Sequence, residues 1–289
     1  MCIPSIHCWY NGVGNQLLAM LNIIYYTFYF KNFKALKLPG NQFFTIINEK
    51  NTREDRDNTT CECDEKTDIT RRINPCSDWF CLGIKELKRI FTENVRYKFA
   101  NDITTIQYDI GIHIRSGDIF GGNVHWEYVQ PPLDYYIEII KRNPTKSVVI
   151  VYDINTRKPH WKNPVLDKLF EYIKNNNLTN ITVQSKSVRE DMAALCSSKT
   201  IICAMGTFSF MCYIISPITQ QIYIPHYMVK KYRGKNWFSL NNEDLDIVKI
   251  VDISSYIKVG SWKNKPEQQE MMINYKMNKN ELDKLTIDV

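Results

Sequence analysis

The amino-acid sequence predicts an α/β protein of two lobes, each a parallel sheet flanked by helices, facing each other across a cleft. Three observations predict it. The 289 residues exceed what a single core usually serves. Short β-branched segments alternate with helix-like segments from Ser147 to Ile224, the pattern of a doubly wound sheet. Near the N-terminus a strand-like segment runs through a glycine turn into an apolar helix-like run, a βαβ opening in which a ligand can approach the backbone.

The first lobe is expected over residues 1–105. Ser5 to Tyr10 reads as a strand, Asn11-Gly-Val-Gly-Asn-Gln16 as the turn, and Leu17 to Phe30 as the helix; Lys34 to Leu38 is the next strand, ended by Pro39-Gly40. Residues 48–81 form an insertion, charged and rich in Asn and Thr up to Pro75, without periodicity. Helical spacing returns from Asp78 to Tyr97 through Leu82, Leu87, Ile90, Phe91 and Val95. The second lobe is expected over residues 106–253. Its strands are Tyr108 to Ile114, Ser147 to Tyr152, Ile181 to Gln184, Thr200 to Cys203 and, closing the series, Gln221 to Ile224. Helices start at Pro131, with prolines in the first turn, at Lys162, and at Ser187, where Glu190 three residues on signals a capping box. The Lys-, Asn- and Glu-rich tail, 254–289, is expected to end as a helix on the body.

With 44% hydrophobic and 24% charged residues, wholesale disorder is excluded. No apolar run approaches the ~18 residues of a membrane span; Leu17 to Phe33 is broken by Asn22, Lys31 and Asn32. The N-terminus shows no secretory signal, so a cytoplasmic protein without a membrane span is expected. Lys plus Arg number 37 against 31 Asp plus Glu, an excess that helps attract anionic small molecules but does not argue for nucleic acid. Of nine cysteines, Cys8, Cys196, Cys203 and Cys212 sit in apolar contexts and read as core. Cys61, Cys63, Cys76 and Cys81 cluster in polar sequence, and zinc, disulfides and free thiols all remain open for them.

The segment carrying most chemistry is Gly111-Ile-His-Ile-Arg-Ser-Gly-Asp118, at the carboxyl end of a strand, where open parallel sheets bind ligands. Arg115 offers a planar fork that matches phosphate oxygens. Asp118 can orient it or take an acceptor proton, and His113 can bond a sugar or phosphate oxygen. Asp153 follows another strand. Thr207 and Ser209 suit either a diphosphate or a helix cap. In His125-Trp126-Glu127-Tyr128, Trp126 suits a carbohydrate surface and Glu127 is the alternative base. The phosphate-loop, nucleophile-elbow and zinc-helix motifs are missing, as is any Asp-x-Asp triplet.

Asn11-Gly-Val-Gly-Asn-Gln-Leu17 together with Gly111 to Asp118 resembles the fucosyltransferase superfamily of α1,2-, α1,6- and protein O-fucosyltransferases. The likeness covers ordered islands over roughly residues 5 to 226. It implies an inverting, metal-independent enzyme of the GT-B type with two Rossmann-like lobes. No cofactor is required; the donor is GDP-fucose and the acceptor an oligosaccharide or glycoprotein. By the same resemblance Arg115 meets the β-phosphate, Gly12, Gly14 and Asn15 face the cleft, and Asp153, Asp191, Thr207, Phe208 and Ser209 line the donor site. Ser116 departs from the second Arg of the α1,2 branch, and the cysteine insertion has no counterpart. UDP-xylose, a donor of related-looking viral and algal enzymes, is therefore the alternative, with a non-catalytic binding relative as the rival from another class.

Overall fold

The structure, a computed structural model, describes Gly14, Gln16, Leu17 and Met20, and residues 44–46, 84–97, 107–121, 124–125, 128–153, 159–228, 244–253, 255–258 and 260–282. Among these residues lies a six-stranded, wholly parallel sheet with helices packed on it.

Two short strands precede the main sheet. β1 (Phe44–Ile46) pairs antiparallel with β2 (Val95–Tyr97), and α1 (Ile84–Asn94) runs directly into β2. The helical spacing expected through Tyr97 therefore stops at Asn94. There the Asn94 amide turns back to donate to the Ile90 carbonyl, and β-branched Val95 enters the ladder. The amino end of α1 is capped from far along the chain: Asp244 accepts from the amides of Ile84 and Lys85 at 2.9 and 3.1 Å while being almost wholly buried.

The main sheet follows the expected alternation closely. β3 (Tyr108–Ile114) leads to α2 (Leu133–Arg142), β4 (Val148–Tyr152), α3 (Val165–Asn175), β5 (Ile181–Gln184) and α4 (Val188–Cys196). Then come β6 (Ser198–Ile202), α5 (Thr207–Ile215), β7 (Gln221–Pro225) and β8 (Val248–Val251). The prolines at α2 stand outside it, Pro132 being the N-cap. Ser187 and Glu190 close the capping box read from the sequence. Unforeseen, besides β1 and β2, were α5, where a turn was expected, and β8, which extends the sheet one strand past the expected last.

Strand order is β5-β4-β3-β6-β7-β8, so the chain leaves the centre in one direction after β3 and in the other after β6. That is the doubly wound, Rossmann-like order. The central strands are near-continuous apolar runs, Ile110 to Ile114 and Val148 to Val151, buried on both faces as parallel strands require. One group of helices, α2, α3 and α6 (Pro266–Asn274), packs together, and α1, α4 and α5 form the other. Cys196, Cys203 and Cys212 are free and buried in this core as expected, and Cys8 lies outside the described residues.

The tail carries α6 and α7 (Lys279–Leu282) and does pack on the body. Buried Trp262 donates from Nε1 to the Ile119 carbonyl (3.1 Å), Asn264 donates to the Phe120 carbonyl (2.7 Å), and Lys276 and the Met277 amide meet Asp134. No helix of the described residues is long and apolar enough to cross a membrane.

Candidate functional site at the switch of the sheet

β3 and β6 are neighbours, and the chain leaves them toward opposite edges, so their carboxyl ends open the crevice where doubly wound sheets bind ligands. Arg115 to Asp118 leave β3 here, Cys203 to Ser209 leave β6, and Asp153 leaves β4 next door.

Arg115 is fixed from several sides. Its carbonyl accepts from Asn163 Nδ2 at 2.9 Å, and the Asn163 amide donates to Ser116 Oγ at 3.2 Å. Buried Asn163 also accepts from the Val165 amide, which ties this clamp to the start of α3. The guanidinium lies over the Tyr128 ring, Cζ 4.4 Å from its centroid, and Nη2 donates to Asp118 Oδ1 at 3.3 Å. Asp118 is 76% exposed, so this ion pair orients the fork more than it stabilises the fold. With one hydrogen bond made to a described residue, a fork of five N–H donors keeps capacity for an anion.

On the other side of the fork stands Gly206, the N-cap of α5, at φ 139° and ψ 174°, a conformation open essentially to glycine alone. A Cβ there would lie 2.6 Å from Arg115 Nη1. The guanidinium therefore rests against the amino end of a nine-residue helix, whose N-cap brings no side chain, and both carry positive potential. A third segment meets them. Gly14, helical and buried, sits so close to α5 that a Cβ would lie 2.6 Å from Thr207 Oγ1 and 2.7 Å from the Phe208 amide nitrogen.

Thr207 and Phe208 thus form the first turn of α5 at the crevice. Ser209, one step further, is fully buried and its hydroxyl points inward, 3.2 Å from His113 Nδ1. Burial, and then the Arg115 charge, push His113 down to about 3, so its ring is neutral; it packs tilted on Phe208 with centroids 5.1 Å apart. Asp153 Oδ2 lies 3.4 Å from the Cβ position of Gly117, beside Asp118; partial burial and then that carboxylate raise its pKa. Asp191 stands further along the rim. Burial raises its pKa, but its carboxylate is engaged by Gln184 Nε2 (2.9 Å) and the Lys186 amide (3.2 Å), and it holds the β5–α4 turn.

The structure therefore brings Gly14, His113, Arg115, Asp118, Asp153, Thr207 and Phe208 to one crevice. Gly12, Asn15, Trp126, Glu127 and the cysteines Cys61, Cys63, Cys76 and Cys81 lie outside the described residues. Among the described residues no group of three or more His, Cys, Asp or Glu is placed to share a metal ion. Sequence reasoning missed Tyr128 and Asn163, whose spacing from Arg115 carries no periodic signal. It also missed the mutual fit of Gly206 and Arg115, for which the one hint was a glycine directly before Thr207.

Fold and site together define a Rossmann-like α/β protein with Arg115, Asp118 and Asp153 gathered at the topological switch point. No protein-family model, no curated protein and no solved structure matches the chain.

Proposed function

We propose that the chain is a glycosyltransferase of the two-lobed GT-B type that moves a sugar from a nucleotide diphosphate sugar to a glycan hydroxyl. One observation carries the reading: the Arg115 guanidinium seated against Gly206 at the amino end of α5, in the crevice between β3 and β6. Two sources of positive potential converge there, which suits the pair to an anion. In this reading the diphosphate lies across the Arg115 fork and the first turn of α5. As the sugar departs, Arg115 takes up the charge growing on the diphosphate, a contribution on the order of 3 kcal/mol for one well-placed donor. Asp118 or Asp153 receives the acceptor's proton; the raised pKa of Asp153 suits it to that step. GDP-fucose is the first donor to test and UDP-xylose the second. In this reading residues 1–105 belong to the acceptor-side lobe.

The test is a thermal-shift panel of GDP, UDP, GDP-fucose, UDP-xylose and UDP-glucose, followed by release of free nucleotide. One nucleotide family is expected to raise the melting temperature by mass action. Arg115→Ala is expected to abolish both that shift and turnover while the protein stays folded. A shift without nucleotide release identifies a binding relative. Wild-type turnover in folded Arg115→Ala rejects the assignment.

A further inference from the structure

His113 and Ser209 form a buried pair that the proposed chemistry does not itself require. His113 lies on β3 and Ser209 on α5, so their 3.2 Å contact spans the two elements that build the crevice. The Cys203 thiol is a neighbour of Ser209, and burial pushes its pKa up to about 12. Cys203 and Ser209 are fully buried, and His113 keeps a small exposed part, 8%.

The chemistry of the pair sets its direction. A hydroxyl donates once, the unprotonated nitrogen of a neutral imidazole is a strong acceptor, and a thiol sulfur is a weak one. Given to His113 Nδ1, the proton of the buried Ser209 hydroxyl meets the strong acceptor. With the ring proton on Nδ1 instead, that hydroxyl proton is left with the sulfur of Cys203 alone, the costlier arrangement for a buried donor. The groups facing the ring are Phe208, which brings no charge, and Arg115, whose charge opposes protonation.

We propose that Ser209 is a positioning residue that holds His113 as the neutral Nε2–H tautomer, so that the ring donates one hydrogen bond into the crevice beside Arg115. Nε2 makes no hydrogen bond to a described residue, and it is the edge of the ring left for a ligand. A ring so held is a donor to a phosphate or ribose oxygen and not a proton acceptor. The tautomer stands on the local geometry alone; its use by a ligand rests on the diphosphate reading above.

The experiment is nitrogen–proton correlation NMR on protein carrying ring-labelled histidine, with the His113 signals assigned by their loss in His113→Gln. Wild-type protein is expected to show the Nε2–H pattern unchanged from about pH 8 to about pH 5. Ser209→Ala is expected to mix the tautomers and to weaken binding of inorganic pyrophosphate in proportion to the Nε2–H fraction lost, about twofold for an even mixture. Ser209→Thr and Cys203→Ala keep the hydroxyl and are expected to keep the Nε2–H pattern, which separates the positioning role from simple packing. An Nδ1–H or doubly protonated ring in the wild type overturns the proposal even where Ser209→Ala fails to fold, and so does an unchanged tautomer in Ser209→Ala. Absence of pyrophosphate binding in the wild-type protein, with its Nε2–H tautomer observed, overturns the diphosphate reading and leaves the tautomer standing.

Discussion

The Arg115 guanidinium occupies the space that a side chain on Gly206 would fill: Nη1 is 2.6 Å from that Cβ position. Gly206→Ala therefore faces two costs, a backbone conformation closed to alanine and a collision with the fork. The first alone costs about 1–3 kcal/mol. Urea unfolding of Gly206→Ala is expected to show a lower midpoint, and nucleotide or pyrophosphate binding is expected to fall with it. Wild-type affinity in the variant means that the glycine does not place Arg115.

Gly14 makes a comparable approach to α5, but onto backbone that cannot rotate away, the Phe208 amide nitrogen at 2.7 Å. Gly14→Ala is expected to destabilise by about 1–3 kcal/mol, the range for overpacking a closed contact. An unchanged unfolding midpoint rejects a docked Gly14.

Asp244 reaches the amino end of α1 across 160 residues, and its carboxylate is buried with the two amides it accepts from. Asp244→Ala is expected to cost about 1–3 kcal/mol, a lost cap together with buried donors left unmet. Asp244→Asn keeps one acceptor oxygen and is expected to lose less. Chemical denaturation of the two variants side by side checks the ranking.

His113 also makes stability depend on pH. Its folded pKa of about 3 lies below the ordinary 6.5, so between those values the unfolded chain binds a proton that the native ring refuses. Native stability accordingly falls as pH drops through about 6.5 and stops falling, for this group, near 3. His113→Phe is expected to flatten the acid limb of a stability–pH profile. An equally steep limb in the variant rejects this assignment.

The sequence made the sheet legible where burial left a chemical trace. Tyr108–Ile114 and Ile181–Gln184 match the expected strands end to end, and the Ser187–Glu190 box marks the start of α4. α5 was hidden because Ser209 to Ile215 are all buried: a helix apolar all round has no period to read. β8 is four residues, one of them Lys249, and so short a segment carries little periodic signal. In the site, Arg115 could be singled out because its chemistry and strand-end position are local. The roles of Tyr128, Asn163 and Ser209 could not, since each is defined by a neighbour brought in from another element. Ser209 illustrates the limit: its helical position turns it to His113 while Thr207, two residues earlier, faces Gly14.

The contacts of Trp262 and Asn264 with the carbonyls of Ile119 and Phe120 impose an order on biosynthesis. The turn that carries Asp118 is held by residues translated almost 150 positions later, since Trp262 is 143 residues from Ile119 and Asn264 is 144 from Phe120. A nascent chain can assemble β3 through β7 while its later part is still in the ribosome, yet the wall of the crevice stays unfastened until Asn264 has emerged. Ligand-binding competence then arrives late in synthesis, after the sheet that supports it.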